Sequence, residues 1–345
     1  MSLLLHVIPE WVELASLACC IGVPVCLLWV LGPTQDGTPS DRRSVLDGVW
    51  RLLSIGAVAL FASSIVGVLV RTAEMSGYPM TGILAVLPTV VLRTHLGHAG
   101  ILRMAAIVAL GGTMMVARRS SHVRLFPYLM LGCAVVVSAM DSASGHASDA
   151  GDFNAHEITD WLHLLAAMVW GGGLLVLSLV ILPRLAKQGD RAARSMAEVA
   201  TRFSRIAGIG VGFIILTAPY QEWAYGGSVE GLVRSPYGRT VIAKIVLFSL
   251  LLGLGAFNRY ISVPRLQEWA GSATTRRGTL GRFVTPLLLP LERGARGPQV
   301  AIRFTRAVKL EAFLLAVVLL CAALLRHEVP ARHAGEHSRR AGTNH

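Results

Sequence analysis

Histidine, aspartate and methionine side chains gather in a few short stretches of this 345-residue sequence. Imidazole and carboxylate groups bind divalent copper and zinc, and thioether sulfur binds monovalent copper. The stretches therefore predict a metal site. The candidate ligands are His95, His98, Met140, His146, His156, Asp160 and His163.

The spacing after residue 155 predicts one ligand stripe. At 100° per residue, a helix places His156, Asp160, His163 and Trp170 within an arc of about 80°. A rise of about 1.5 Å per residue separates His156 from His163 by roughly 10 Å, too far for both to bind one ion. Asp160 can reach either ring. We therefore expect a site at His163, with Asp160 as co-ligand or orienting group and further ligands from another helix or loop.

A second pair of histidines lies earlier in the chain. His95 and His98 are spaced i and i+3, so both rings can face one ion on a helix. The C-terminal tail also holds histidines spaced four apart, at His333 and His337, which could capture metal outside a membrane.

The composition places these residues in a membrane protein. Hydrophobic residues make up 53% of the chain and charged residues 15%, which predicts an all-α, polytopic helical bundle with the lipid bilayer as its surroundings. The net charge of +12 lies mostly in short connections between apolar runs, so nucleic acid is not an expected partner. Eight apolar runs are long enough to cross a bilayer, near residues 11–31, 49–70, 95–117, 124–142, 157–182, 203–220, 239–261 and 309–325.

Charge asymmetry predicts the orientation. Most Lys and Arg residues fall in the connections near 32–51, 117–124, 183–205 and 259–309, which share one side if the helices alternate. The positive-inside rule places that side in the cytoplasm. Both termini are then periplasmic, in a bacterial inner membrane. Two shorter apolar stretches, 80–92 and 284–291, are too short to cross and are predicted to lie at the interface.

An internal repeat divides the predicted bundle. Residues 1–143 and 144–325 would each form a four-helix half, and an offset of four helices makes the halves parallel repeats. A basic cytoplasmic loop is expected at 262–308 and a disordered tail at 326–345. The matches at an offset near 150 are Trp11 with Trp161, Arg51 with Arg202, and Gly97 to Arg103 with Gly238 to Lys244.

Two buried charges need partners. Arg103 and Lys244 lie about two turns inside the predicted outer interface, where an uncompensated charge costs several kcal/mol. The candidate carboxylate partners are Glu13, Asp141, Asp160 and Glu222.

The polar positions between about 138 and 265 resemble the copper resistance D family of bacterial inner-membrane proteins. The matching motifs, in order, are Ser144-Gly145-His146-Ala147, Asp160-Trp161-Leu162-His163, Arg202-Phe203-Ser204-Arg205, Ser235-Pro236-Tyr237-Gly238-Arg239 through Lys244, Asn258-Arg259 and Pro264-Arg265-Leu266. Thr94 through Arg103 resembles the N-terminal half of the family.

This resemblance implies a protein that moves or delivers copper ion between periplasm and cytoplasm, together with a periplasmic copper-binding protein. It favours His146 and His163 as functional residues, and it assigns no role to His95 and His98. The chain shows no nucleophile with a base and no phosphate loop, so enzymatic activity is not expected.

Two other functions stay open from the sequence. One is electron transfer by haem b, with His163 and either His95 or His98 as axial ligands. The other is a membrane assembly factor that docks a partner and transports nothing.

Overall fold

A computed structural model describes residues 3–32, 39–77, 82–119, 125–144, 154–225, 235–272, 279–288 and 297–328. Within these ranges the chain forms ten helices and no β-strand. Three of the helices continue through a π-helical turn. The helices are α1 (Leu3–Val25, continued by Cys26–Val30), α2 (Pro39–Ser76), α3 (Ile83–Arg93), α4 (His95–Arg119), α5 (Phe126–Ala143), α6 (Ala155–Val176, continued by Leu177–Ile181 and Leu182–Ala186), α7 (Ala193–Tyr225), α8 (Pro236–Phe257, continued by Asn258–Ser262 and Val263–Trp269), α9 (Thr279–Leu288) and α10 (Pro298–Leu325).

Eight of these helices are long and apolar enough to cross a membrane, as predicted. The other two, α3 and α9, have 11 and 10 residues. At about 1.5 Å per residue each spans only some 15 Å, half of the hydrocarbon thickness. The chain is therefore a multi-pass helical membrane bundle.

Several helices extend further than their apolar runs. The seventh span continues through a π-helical turn to Trp269, and the eighth begins at Pro298 instead of near 309. Both extensions lie inside the stretch 262–308, which was predicted to be a loop. Helical backbone bonds form equally well in polar sequence, so apolar length underestimates a helix that leaves the bilayer.

The centre of the bundle is the crossing of α1 and α6, the two most buried spans. At this crossing Gly22 faces Gly172, and a Cβ on either residue would overlap the backbone of the other helix. Only glycine permits so close an approach. The two glycines are 150 positions apart, the offset of the predicted repeat.

Two further features recur at this offset. Trp11 donates its indole N–H to the Ala316 carbonyl in α10 (2.9 Å), and Trp161 donates its own to Ser138 Oγ in α5 (3.1 Å). Each tryptophan thus contacts the last spanning helix of the other half. The π-helical turns of α1 and α6 begin at Cys26 and Leu177. These observations support the repeat, which stays a prediction.

Candidate metal site

Helix direction brings most candidate residues to one face of the bundle. This face, which we call the termini face, consists of the starts of α1, α4, α6 and α8 and the ends of α2, α5, α7 and α10. Contacts within it include Arg71 Nη1 to the Ser144 carbonyl (3.1 Å) and Thr240 Oγ1 to Glu328 Oε1 (3.2 Å).

The stripe on α6 lies against α7. His163 Nδ1 lies 2.8 Å from Thr217 Oγ1. The His156 ring is 5.9 Å from the ring of Tyr220, centroid to centroid. Further along the helix, Trp170 packs against Gly210 of α7 and makes an edge-on contact with Phe248 of α8. The stripe therefore lines the seam between two helices.

The hydrogen bonds of Thr217 fix the tautomer of His163. Thr217 Oγ1 donates to the carbonyl of Phe213 at 2.7 Å, as serine and threonine commonly do within helices. With the hydroxyl proton used there, Thr217 is placed to accept from His163 Nδ1–H. The Nε2 atom of His163 is then unprotonated and has the lone pair that a metal needs.

Asp160 is held by two neutral donors. Its Oδ2 accepts from Ser142 Oγ of α5 (2.8 Å), and its Oδ1 accepts from Gln221 Nε2 of α7 (3.0 Å). A carboxylate accepts about four hydrogen bonds, so lone pairs remain on both oxygens. Asp160 thus has the chemistry of a metal ligand or of an orienting group one turn from His163.

Arg103 belongs to a buried ionic network. It contacts Glu13 of α1 and donates from Nη1 to Asp141 Oδ1 of α5 at 3.2 Å, two of the four carboxylates considered from the sequence. Arg326, just after α10, donates to Asp141 Oδ2 at 2.7 Å and contacts Glu10 of α1. The network joins four helices from both predicted halves.

The electrostatics keep this network charged. Burial acts to lower the pKa of Arg326, but Asp141 and Glu10 outweigh it and raise that pKa, so the guanidinium stays protonated. The sequence placed Arg326 in a disordered tail. Its ion pairs instead attach it to the bundle, because two buried carboxylates need a second cation.

Lys244 lies close enough to His163 for an electrostatic interaction. Its position in α8 corresponds to that of Arg103 in α4 in the predicted repeat. The first half thus places a cation beside a carboxylate, and the second half places one beside an imidazole.

The remaining candidates are more scattered. His95 and His98 are exposed at the start of α4, and His98 Nε2 lies 3.1 Å from the Leu92 carbonyl. Met140 is half-buried on α5, two residues before Ser142. His146, His333 and His337 lie outside the described residues.

The sequence analysis missed a second cluster on the termini face. His6 Nδ1 lies 3.1 Å from Glu74 Oε1, and the ring of His327 stands 5.5 Å from that of His6. Burial lowers the pKa of the His327 ring, although the Glu10 carboxylate opposes the shift. No local pattern could reveal this cluster, because its members come from both ends of the chain.

A polar pair also lies towards the end of the bundle opposite the termini face. Asn258 Nδ2 donates to the buried carboxylate of Glu311, and Ser262 Oγ donates to Asn258 Oδ1 at 2.9 Å. At the same end, a cavity of about 520 Å³ at the start of α2 is lined by Arg43, Arg51 and Arg184, among other residues.

Two family models match this chain. Copper resistance protein D matches residues 197–325, and the N-terminal domain of copper resistance protein D-like proteins matches residues 1–154. The chain belongs to the copper resistance D family. The residues between the two matches, 155–196, contain His156, Asp160 and His163.

Two relatives agree with the family assignment. Copper resistance protein D of Pseudomonas syringae pv. tomato is 27% identical over 234 residues, which cover 66% of this chain and 74% of the relative. Copper transport protein CutJ of Bacillus subtilis (strain 168) is 26% identical over 182 residues, which cover 52% of this chain but only 32% of the relative. No solved structure matches the chain.

Membership of the copper resistance D family gives the protein a copper-related membrane function. The names of the relatives refer to copper resistance and copper transport and give no support to the haem b alternative. Copper-binding imidazole, carboxylate and thioether groups are all present on the termini face of this family member.

Proposed function

We propose that this protein transports copper, or delivers it, at the bacterial inner membrane and takes up the ion at His163 on the termini face. The observation that carries the proposal is the chain from His163 Nδ1 through Thr217 to the Phe213 carbonyl. Metal-binding histidines are usually oriented in this way by a hydrogen bond to the second ring nitrogen. The copper ion is the cargo, and the proposed role includes no enzymatic step.

Asp160 completes the proposed site from the same helix. Its carboxylate supplies negative charge one turn from His163, and its two neutral donors hold it in place without neutralising it. Met140 and His146 would come from α5 and the connection after it. His156, His95 and His98 would act earlier, as ligands that pass the ion along the termini face.

The proposed orientation places both termini and the copper site in the periplasm. A periplasmic copper-binding protein would then hand its ion to the termini face. The buried pair of Asn258 and Glu311 lies towards the opposite end of the bundle and is a candidate polar group for an inward route. Polar and ionisable groups inside a membrane often mark such routes.

Copper binding to the purified protein tests the proposal. We compare wild type with His163→Phe, which keeps a ring of similar size but removes the ligand nitrogen. The matched control is His122→Ala, a histidine in a predicted cytoplasmic connection. Copper bound under reducing conditions should fall by about one ion per chain in His163→Phe and stay unchanged in His122→Ala.

The same samples distinguish the alternatives. Equal copper uptake by wild type and His163→Phe would overturn the proposed site. A Soret band in the absorption spectrum would indicate haem b instead. Neither copper nor haem in the wild-type protein would favour an assembly factor that docks a partner.

A further inference from the structure

Three side chains from distant parts of the sequence meet at the edge of the termini face. His6 lies in the first turns of α1, Glu74 near the end of α2, and His327 two residues after α10. Each offers one ligand atom, and these three atoms lie within 4.8 Å of one another. In the described ranges, no other set of three histidine, cysteine or acidic side chains comes this close.

These distances are compatible with a bound ion. Nitrogen and oxygen ligands lie about 2.0 to 2.2 Å from zinc, so two ligands of one ion are separated by about 3 to 4 Å. The 3.1 Å between His6 Nδ1 and Glu74 Oε1 already falls within this range. The third ligand atom must approach by about 1 Å at most. All three residues lie at or near helix ends, where side-chain rotation permits such a movement.

The hydrogen bonding of the two rings also indicates a missing partner. His327 Nε2 is a buried atom without a hydrogen bond to any part of the chain that the structure describes, and His6 Nδ1, also buried, lies 3.1 Å from Glu74 Oε1 without the geometry of a hydrogen bond. Buried polar atoms are nearly always satisfied in native proteins, and an exception calls for an unobserved water or ion. An ion between the two rings would satisfy both nitrogens.

We propose that His6, Glu74 and His327 form a binding site for a divalent cation of the copper(II) or zinc(II) type. Two imidazoles and one carboxylate are the ligands that these ions prefer, and this set lacks the sulfur that favours copper(I). The site is separate from the proposed copper site at His163 and does not depend on it.

An ion bound at this place would also affect the structure around it. His327 follows Arg326, whose guanidinium bonds to Asp141 and Glu10 in the buried network. A cation at His327 would therefore fix the residues after α10 against the start of α1 and the end of α2. The ion joins the first and last spanning helices of the bundle.

Copper(II) titration followed by electron paramagnetic resonance tests this site in the full chain, reconstituted in nanodiscs. All samples, including the parent, carry His163→Phe together with His333→Ala, His337→Ala and His345→Ala, so that neither the proposed copper site nor the tail histidines contribute. The parent should bind one copper(II) whose spectrum shows coupling to two nitrogens. His6→Ala with His327→Ala should weaken binding at least about 100-fold, and Glu74→Gln at least about tenfold.

A control separates this site from other histidines. His122→Ala removes a histidine of the predicted cytoplasmic connection and should leave the signal unchanged. Because every sample carries His163→Phe, the result does not depend on the proposed copper site, and the two proposals fail independently. Zinc(II) should displace the copper(II) from the parent.

The proposal is overturned if the His6 and His327 double variant keeps the affinity and the two-nitrogen spectrum of the parent. It is also overturned if the parent binds no copper(II) or zinc(II), or if the signal disappears only in His122→Ala. Glu74→Gln keeps the shape of the side chain, so its effect does not depend on whether the histidine variant folds.

Discussion

The two predicted halves of the bundle place different chemistry at positions 150 residues apart. In the first half, Glu13 of α1 lies against Gly67 of α2, which offers it no side chain. The carboxylate instead pairs with Arg103. In the second half the corresponding residues are His163 of α6 and Thr217 of α7, and the threonine holds the imidazole by a hydrogen bond.

This difference separates a structural site from the proposed binding site. A carboxylate paired with a buried arginine is neutralised and has little attraction left for a cation. An imidazole whose Nδ1–H is bonded to a hydroxyl presents a free lone pair on Nε2. The same helix arrangement thus stabilises the fold in one half and, in our proposal, offers a ligand in the other.

Arg103 and Lys244 occupy corresponding positions in the two predicted halves. The comparison predicts that they differ in how much they stabilise the fold. Arg103→Met leaves Glu13 and Asp141 buried without this partner, and we expect a loss of about 3 to 5 kcal/mol in the free energy of unfolding. Lys244→Met removes a cation beside His163, whose imidazole can stay neutral, and the expected loss is smaller than that of Arg103→Met. Denaturant unfolding in detergent micelles measures both values.

A control for Arg103 lies at the opposite end of the bundle. Arg259 donates to Ser204 Oγ at 3.2 Å and contacts the Ser204 backbone carbonyl, so Arg259→Met leaves no carboxylate uncompensated among the residues that the structure describes. Its effect should resemble that of Lys244→Met. Equal losses for Arg103→Met and Lys244→Met would show that the halves do not differ in this way.

Sequence patterns predicted the fold more completely than they predicted the contacts between its helices. The eight spans follow from apolar length, because the bilayer demands about 20 apolar residues from every crossing helix. Helix ends such as Trp269 and Pro298 were missed, because a helix outside the bilayer needs no apolar signal.

Only part of the candidate site could be predicted from the sequence. The period of 3.6 residues placed Asp160 and His163 on one face, since both lie on a single helix. It could not show that Thr217 orients His163, because that contact depends on how α6 packs against α7. Nor could it join His6 to His327, which are separated by almost the entire chain.

Thr217→Val tests the part of the comparison that concerns binding. Valine keeps the shape of threonine but cannot accept from His163 Nδ1, so the ring loses its fixed orientation. We expect copper affinity to fall about 10- to 100-fold, the usual effect of removing such an orienting group. Titration against a competing copper chelator measures this change.

The matched control is Thr201→Val on the same helix. Thr201 Oγ1 accepts from Gln267 Nε2 at 2.9 Å, far from the termini face, so its replacement should leave copper affinity unchanged. If both threonine variants bind copper as tightly as wild type, orientation of His163 by Thr217 does not matter for binding.

Replacing each of the two tryptophans is the most sensitive test of whether the two halves are equivalent. Trp11→Phe and Trp161→Phe each remove one hydrogen bond, to the Ala316 carbonyl and to Ser138 Oγ respectively. Each acceptor keeps one other hydrogen bond, because the Ala316 carbonyl lies within a helix and Ser138 Oγ still donates to the Val135 carbonyl. We expect each variant to lose about 0.5 to 1.5 kcal/mol in the free energy of unfolding.

Two similar losses would support repeated halves, since the same contact then stabilises each one. A loss confined to one variant would mean that the two tryptophans have different surroundings. The repeat at an offset of 150 would then be present in the sequence but not in the packing of the helices.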